Sequence, residues 1–237
     1  MNSPPLVCWD FDETLGYFRP LEFAWLGVPP PAPMPPPRLK PGIRECLAAL
    51  DDFTHVVTTA AIGQYAREVL REFGLQDRFA AVLGREDGIC AGDGKDYSIV
   101  GSRFAVAERD LPRRLVVVGN DAKRDADSRR RQVVMIHDAR MMDRPSQPLA
   151  ALLRRLESAG QGNIKRGFDR LSEFPSRGFR FEYWGDYAQG RIYPVVSGKN
   201  RGRLPIYPAK SVAVPDFSVH LPMGKVSTGT TASLLPA

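Results

Sequence analysis

The chain has 237 residues, 43% of them hydrophobic, and a formal net charge of +6 at neutral pH. That is enough to bury a sizeable core in one α/β domain plus an extension, and it excludes a disordered chain. No apolar run long enough to span a bilayer is present and the first strand begins too early to leave room for a leader, so a cytoplasmic protein with no membrane partner is expected.

The three cysteines, Cys8, Cys46 and Cys90, are widely spaced and form no CxxC, which argues against a disulfide framework or a zinc site and for reduced core thiols. The positive charge is uneven: residues 160–237 hold eleven Lys and Arg against five Asp and Glu, so the rest of the chain is balanced. A basic tail can steer towards nucleic acid or an acidic partner, but its Lys and Arg are too sparse for a nucleic-acid patch and a solvated surface is the plainer reading.

In chain order, "LVCW" (6–9) reads as a short buried strand. Side chains alternate along a strand, so Asp10 and Asp12 emerge on one side where it ends and Phe11 turns the other way into packing. Two carboxylates so placed repel unless a cation or a shared proton compensates. The plain alternative is a strand followed by an acidic cap or turn. Next, "VPPPAPMPPPRLKP" (28–41) cannot be helical and reads as polyproline II or an irregular connector. "GIRECLAALDDF" (42–53) spaces Ile43, Leu47 and Leu50 as a helix, and "THVVTT" (54–59) is a strand. "IGQYAREVLREFGL" (62–75) is a helix with Ile62, Tyr65, Val69 and Phe73 on one face and Gly74 as its stop. "FAAVLG" (79–84) is a strand, "SIVGSRFAVAERD" (98–110) a helix despite Gly101, and "RRLVVVG" (113–119) a strand. "AKRDADSRR" (122–130) is expected as a short helix, "QVVMIHD" (132–138) as a strand and "PLAALLRRLESAG" (148–160) as an amphipathic helix. Near-continuous Val, Ile and Leu strands alternating with helices predict an α/β fold with a doubly wound parallel sheet.

Ligands of such sheets sit beyond the carboxyl ends of the strands. The first strand exits into Asp10 and Asp12, the second into Thr58, Thr59 and Ala60, and the "VVVG" strand into Asn120, Asp121 and Asp125, with Lys95 lying before the intervening helix. "DFDETLG" resembles the DxDxT signature of the haloacid dehalogenase-like superfamily. The four elements follow that superfamily's order: acidic motif, strand-end threonine, lysine, second acidic motif. The resemblance covers roughly residues 4–159, and "RLKPGIRECLAAL", "TAAIGQYAREVL", "GREDG" and "KDYS" resemble phrases of the branch that acts on the carboxy-terminal domain of RNA polymerase II and its NLI-interacting-factor-like relatives.

The resemblance implies a phosphatase on a Rossmann-like core. Asp10 would be the nucleophile, forming an aspartyl-phosphate and holding Mg²⁺. Asp12 would protonate the leaving oxygen, then activate water, with its carbonyl on the metal. Thr59, with Thr58 as the lesser candidate, and the Ala60 N–H would bind the phosphoryl oxygens beside Lys95. Asn120, Asp121 and Asp125 would complete the Mg²⁺ site. The residue types suit this chemistry, since a carboxylate attacks a phosphoester well only when the phosphoryl charge is neutralised and the nucleophile is held in line. Asn120 stands where an aspartate is expected, so Asp121 is favoured as the direct ligand, with Asp125 either binding through water or orienting Lys95.

No cysteine is followed by arginine six positions on and there is no GxxxxGK[ST], which removes a cysteine-dependent phosphatase and a P-loop NTPase. His55, His137 and His220 show no ligand spacing and receive no role. The insert between Leu15 and Gly42 is too short for an independent cap domain, which favours a phosphorylated protein as substrate. A small phosphorylated metabolite or nucleotide is the second reading, and a non-catalytic module binding a phosphorylated partner is a third of another class. The expected domains are a catalytic unit at 1–160 and a basic, aromatic-containing extension at 161–237. Within the extension, "FRFEYWGDYAQGRIYPVV" (179–196) reads as two strands and the last residues as frayed. A hairpin packed on the catalytic unit is the plain account of the extension; a surface stacking single-stranded nucleic acid on its aromatic rings is the sharper one.

Overall fold

A computed structural model describes residues 4–92, 94–129, 131–137, 141–143, 145–160, 162–171 and 180–184. The chain divides into units at 1–206 and 207–237, and every described residue belongs to the first. The strands are β1 (Leu6–Trp9), β2 (Gly16–Tyr17), β3 (Arg38–Leu39), β4 (Thr54–Thr58), β5 (Ala81–Leu83), β6 (Cys90–Ala91), β7 (Gly94–Lys95), β8 (Leu115–Gly119), β9 (Val133–His137) and β10 (Arg180–Trp184). The helices are α1 (Arg19–Leu26), α2 (Ile43–Ala48), α3 (Gly63–Glu72), α4 (Ser98–Arg103), α5 (Leu111–Arg114), α6 (Gln147–Gly160) and α7 (Ile164–Leu171).

The main sheet has the order β10-β9-β8-β1-β4-β5. Its inner pairs β1–β4, β1–β8, β4–β5 and β8–β9 are parallel, and β10 adds to β9 antiparallel. Alternation along β1 feeds two cores. Val7 and Trp9 join the side chains of α2, α3, α6 and α7 on one face, while Leu6 and Cys8 join Val100 of α4 and Leu111 of α5 on the other. The predicted doubly wound sheet is therefore present, with β1 at its centre. From β1 the chain winds outward through β4 and β5, then crosses back to β8 and β9. That reversal opens a crevice at the carboxyl end of β1.

Four local expectations are corrected. Of the stretch expected as a short helix at 122–130, the described residues 122–129 form turns, a bend and the Asp127 bridge to Lys95. The Asp121 Oδ1 accepts the N–H groups of Lys123 and Arg124, each at 3.0 Å, while Asp125 folds inward, so side-chain caps replace helical bonding. The helix expected to reach Asp110 stops at Arg103, where Ala105 takes φ 53° and the Val106 N–H returns to the Gly101 carbonyl at 2.8 Å. Cys8 and Cys46 are buried, but Cys90 is exposed, because it belongs to the small β6–β7 hairpin outside the sheet. The segment after β1 also contains a helix the proline count obscured: α1 begins with Pro20 in its first turn, where a missing N–H costs nothing, and ends on Gly27 at φ 68°.

α1 is anchored rather than buried. Phe18 before it stacks on Phe11 at 4.7 Å, the Tyr65 hydroxyl donates to the Phe18 carbonyl at 3.0 Å, and Trp25 Nε1 donates to Glu68 on α3 at 3.0 Å. Beyond residue 160, α7 buries Ile164 and Phe168 against the core, and β10 supplies the first of the two strands expected in the extension. The second strand, the frayed end and most of the basic aromatic surface lie outside the described residues. Among the described residues, no helix is long and apolar enough to cross a membrane.

Candidate active site

Four strand exits converge on Asp10. Its backbone N–H is fixed to the Val118 carbonyl of β8 at 2.8 Å, so the end of β1 is tied to its neighbour where the sheet stops. Lys95 reaches Asp10 from the β6–β7 hairpin. Its Nζ lies 2.8 Å from Asp10 Oδ1, 2.6 Å from Asp125 Oδ1 and 2.6 Å from the Thr58 carbonyl, so its three protons have three acceptors. Burial alone would push the Lys95 pKa down, but Asp10 and Asp125 more than reverse this and hold the ammonium charged. Asp125 is pushed up, first by burial and then by Asp10, with Lys95 opposing. Its other oxygen accepts the Asp121 N–H at 3.2 Å, and Gly119 leaves the room a Cβ would take from that carboxylate.

Asp12 borders the same pocket, with one buried oxygen, Oδ1, that has no hydrogen-bond partner. Its pKa is raised to about 7, chiefly by burial, then by repulsion from Asp10, Glu22 and Glu13, while Arg19 opposes. Phe11 between the two aspartates is fully buried, as the strand alternation predicted. Thr59 lies on the pocket wall, and its hydroxyl accepts the Ala61 N–H at 3.0 Å, which leaves its own proton free to donate. The Thr58 hydroxyl is instead buried without a partner, away from the pocket lining.

Sequence reasoning gave Thr14 no role. Its fully buried hydroxyl lies 3.3 Å from Asp10 Oδ2 and 3.4 Å from Asn120 Oδ1, and so ties the first acidic motif to the second. Asn120 also donates to Glu13 at 3.2 Å, whereas Asp121 caps its own turn and sits 3.6 Å from Arg124. The pocket holds about 360 Å³ and is walled by Tyr17, Phe18, Arg19 and Glu22 from α1 and its approach, and by Arg85. None of these was marked beforehand. A helix start at "RPLE" was the available signal for the first group; Arg85 had only its place in "GREDG", one of the phrases that carry the branch resemblance. Among the described residues, no three His, Cys, Asp or Glu side chains gather as a metal cage. The oxygens of Asp10, Asp12 and Asn120 suit Mg²⁺ even so, because that ion takes one or two carboxylates and fills its remaining positions with water and phosphate.

No protein-family model matches the chain, and no curated protein does either. Several solved structures resemble it, among them the following three. A hydrolase of the haloacid dehalogenase-like family from Streptococcus pneumoniae has 16% identity and a TM-score of 0.36, over 52% of this chain and 78% of that one. One from Ehrlichia chaffeensis has 14% and 0.37, over 52% and 82%, and one from Geobacter sulfurreducens has 16% and 0.38, over 51% and 81%. All three are described as haloacid dehalogenase-like hydrolases. Likeness this distant adds nothing to what the sheet order and the Asp10 cluster already show.

Proposed function

We propose that the protein is a haloacid dehalogenase-like phosphatase, a Mg²⁺-dependent phosphoric monoester hydrolase with Asp10 as nucleophile. The observation that carries this is the convergence of Asp10 and Asp12 from the end of β1, Thr59 from the end of β4 and Lys95 from the β6–β7 hairpin on one pocket. Asp10 attacks phosphorus and the ester P–O bond breaks, while Asp12 gives the leaving oxygen its proton. Asp12 then takes a proton from the water that attacks the aspartyl-phosphate, releasing phosphate and restoring both carboxyl groups. The Thr59 hydroxyl and the Ala60 N–H hold phosphoryl oxygens. Lys95, with all three protons committed, acts as a fixed positive charge beside them.

Mg²⁺, when bound, would neutralise phosphoryl charge. Asp10, the Asp12 carbonyl and the Asn120–Asp121 turn would hold it. Within that turn the side-chain bonds support Asn120 over Asp121, since Thr14 ties Asn120 to Asp10 while the Asp121 carboxylate is spent on its own turn. Asp125 orients Lys95.

The substrate that fits is an exposed phosphoester, phosphoserine or phosphothreonine in a protein. Only β2, α1 and β3 separate β1 from α2 among the described residues, so no domain-sized cap closes the site. The α1 wall around a pocket of about 360 Å³ supports a small phosphorylated metabolite as the second reading. Phosphate release from an aryl phosphate, with and without chelator, tests the reaction; a panel of phosphopeptides against small phosphoesters separates the substrates. A protein that releases no phosphate with Mg²⁺ present refutes the proposal.

A further inference from the structure

Asp127 and Arg131 are withdrawn from solvent and have no part in the proposed chemistry. The Asp127 side chain is fully buried and that of Arg131 is 13% exposed. Arg131 Nε donates to Asp127 Oδ2 and its Nη2 to Asp127 Oδ1, both at 2.7 Å, a planar two-point pair. The same Nη2 lies 3.2 Å from Asp96 Oδ1, and Asp96 is the residue after Lys95.

The main chain repeats the connection. The Lys95 N–H donates to the Ala126 carbonyl at 2.7 Å and the Ser128 N–H donates to the Lys95 carbonyl at 2.9 Å, so Lys95 is laced to both neighbours of Asp127. The two segments lie so close that a Cβ on Gly94 would fall 2.5 Å from the Ala126 carbonyl oxygen. One guanidinium, two residues before β9, thus grips both the loop that delivers Lys95 and the turn that delivers Asp125.

We propose that Arg131, acting through Asp127 and Asp96, is a positioning residue that keeps the Lys95 ammonium in register with Asp10. This rests on the catalytic reading of Lys95 given above. A lysine side chain has four flexible carbons, and its charge neutralises a phosphoryl group at one fixed place only if its backbone is held. An ordinary surface ion pair would contribute too little to do this, but this pair is shielded from solvent and two-pronged.

Arg131→Lys keeps the charge and loses the planar fork; Asp127→Asn keeps the shape and loses the charge. Two measurements on each full-length variant decide the matter. In hydrogen exchange, the amides of Lys95 and Ser128 should exchange at least tenfold faster while those of β1, β4 and β8 keep their protection. On an aryl phosphate, turnover should fall at least tenfold, divided between kcat and KM as it is in Lys95→Met. In the Lys95→Met background, Arg131→Lys should change the residual rate by less than twofold. Arg131→Gln should be worse than Arg131→Lys, and if it fails to fold, the lysine variant carries the test. Unchanged exchange at Lys95 and Ser128, or effects of the two substitutions that multiply, would overturn the proposal. Should the wild-type protein release no phosphate, the phosphatase reading falls, and hydrogen exchange alone still decides whether Arg131 holds the Lys95 loop.

Discussion

Lys95→Met removes one cation from a place where it faces two carboxylates and a carbonyl. Asp125 is 1% exposed at its side chain and cannot recover its lost partner from bulk water, whereas Asp10, 14% exposed, still borders the pocket. Breaking one side of a buried ion pair costs about 3–5 kcal/mol. For a domain of this size that corresponds to a fall in melting temperature of roughly 10 °C. Turnover should fall at least a thousandfold in the same variant. The source of the instability is the stranded charge rather than a cavity, since methionine nearly fills the lysine volume. Adding Asp125→Asn should therefore recover about half of the lost stability and none of the activity. Thermal melts of wild type, single and double variants at one pH, with phosphate release measured beside them, make the comparison. A single variant that melts within 1–2 °C of wild type, or a double variant no more stable than the single, would refute the reasoning.

Asp10→Asn should abolish turnover and lower the melting temperature less than Lys95→Met does, because the lysine keeps Asp125 and the Thr58 carbonyl, and no acyl phosphate should be trappable on that variant. Asn120→Ala should raise the Mg²⁺ concentration needed for half activation at least tenfold and Asp121→Ala should raise it less, as magnesium titrations of phosphate release would show; the reverse order would assign the ligand to Asp121. His55 is buried between the Trp9 Nε1 donor at 3.0 Å and the Leu50 carbonyl at 2.9 Å, and burial, with Arg78 adding and Asp52 opposing, lowers its pKa. Above its ordinary value of about 6.5 neither state binds a proton there, and below it the unfolded chain binds more than the folded one, so stability should fall as pH drops below 6.5. Denaturant melts of wild type against His55→Phe should show that slope flattened in the variant. Gly167→Val should cost about 1–3 kcal/mol, read by chemical denaturation, because a Cβ there meets the Leu156 carbonyl where α7 crosses α6.

The parallel sheet was legible because β1, β4, β8 and β9 are short, mostly aliphatic and β-branched runs that are almost wholly buried. Asp10, Asp12 and Thr59 were legible because each stands at a strand's exit, where a parallel sheet gathers side chains whatever the sequence distance between them, whereas Lys95, on the β6–β7 hairpin outside that sheet, was legible only from its order among the four motif elements. The 122–130 turn was not, because charged residues at helical spacing say nothing about a buried lysine 30 positions away that draws Asp125 inward. α1 was hidden by the prolines that follow it, although Pro20 in its first turn and Gly27 at its end are the ordinary signals of a helix start and stop.

Thr14 and Arg131 show a further limit of a single sequence. Each acts by touching side chains brought from elsewhere: Thr14, beside Asp10, reaches Asn120 across 106 positions, and Arg131, paired with Asp127, reaches Asp96 across 35. Neither belongs to a periodic pattern, and both residue types are common in turns and on surfaces. Thr14 closes the DxDxT match, but what shows the role of either residue is burial next to charge, which only the folded chain creates. The consequence for the site is mechanical. Asp10 is fixed by β8, Lys95 by Ala126 and Ser128, and Thr59 by the Leu83 carbonyl at 3.0 Å, so these three proposed catalytic groups hang from backbone hydrogen bonds to different segments. Electrostatic catalysis requires charges that do not reorganise as the transition state forms, and a site suspended at this many points meets that requirement before any ligand arrives.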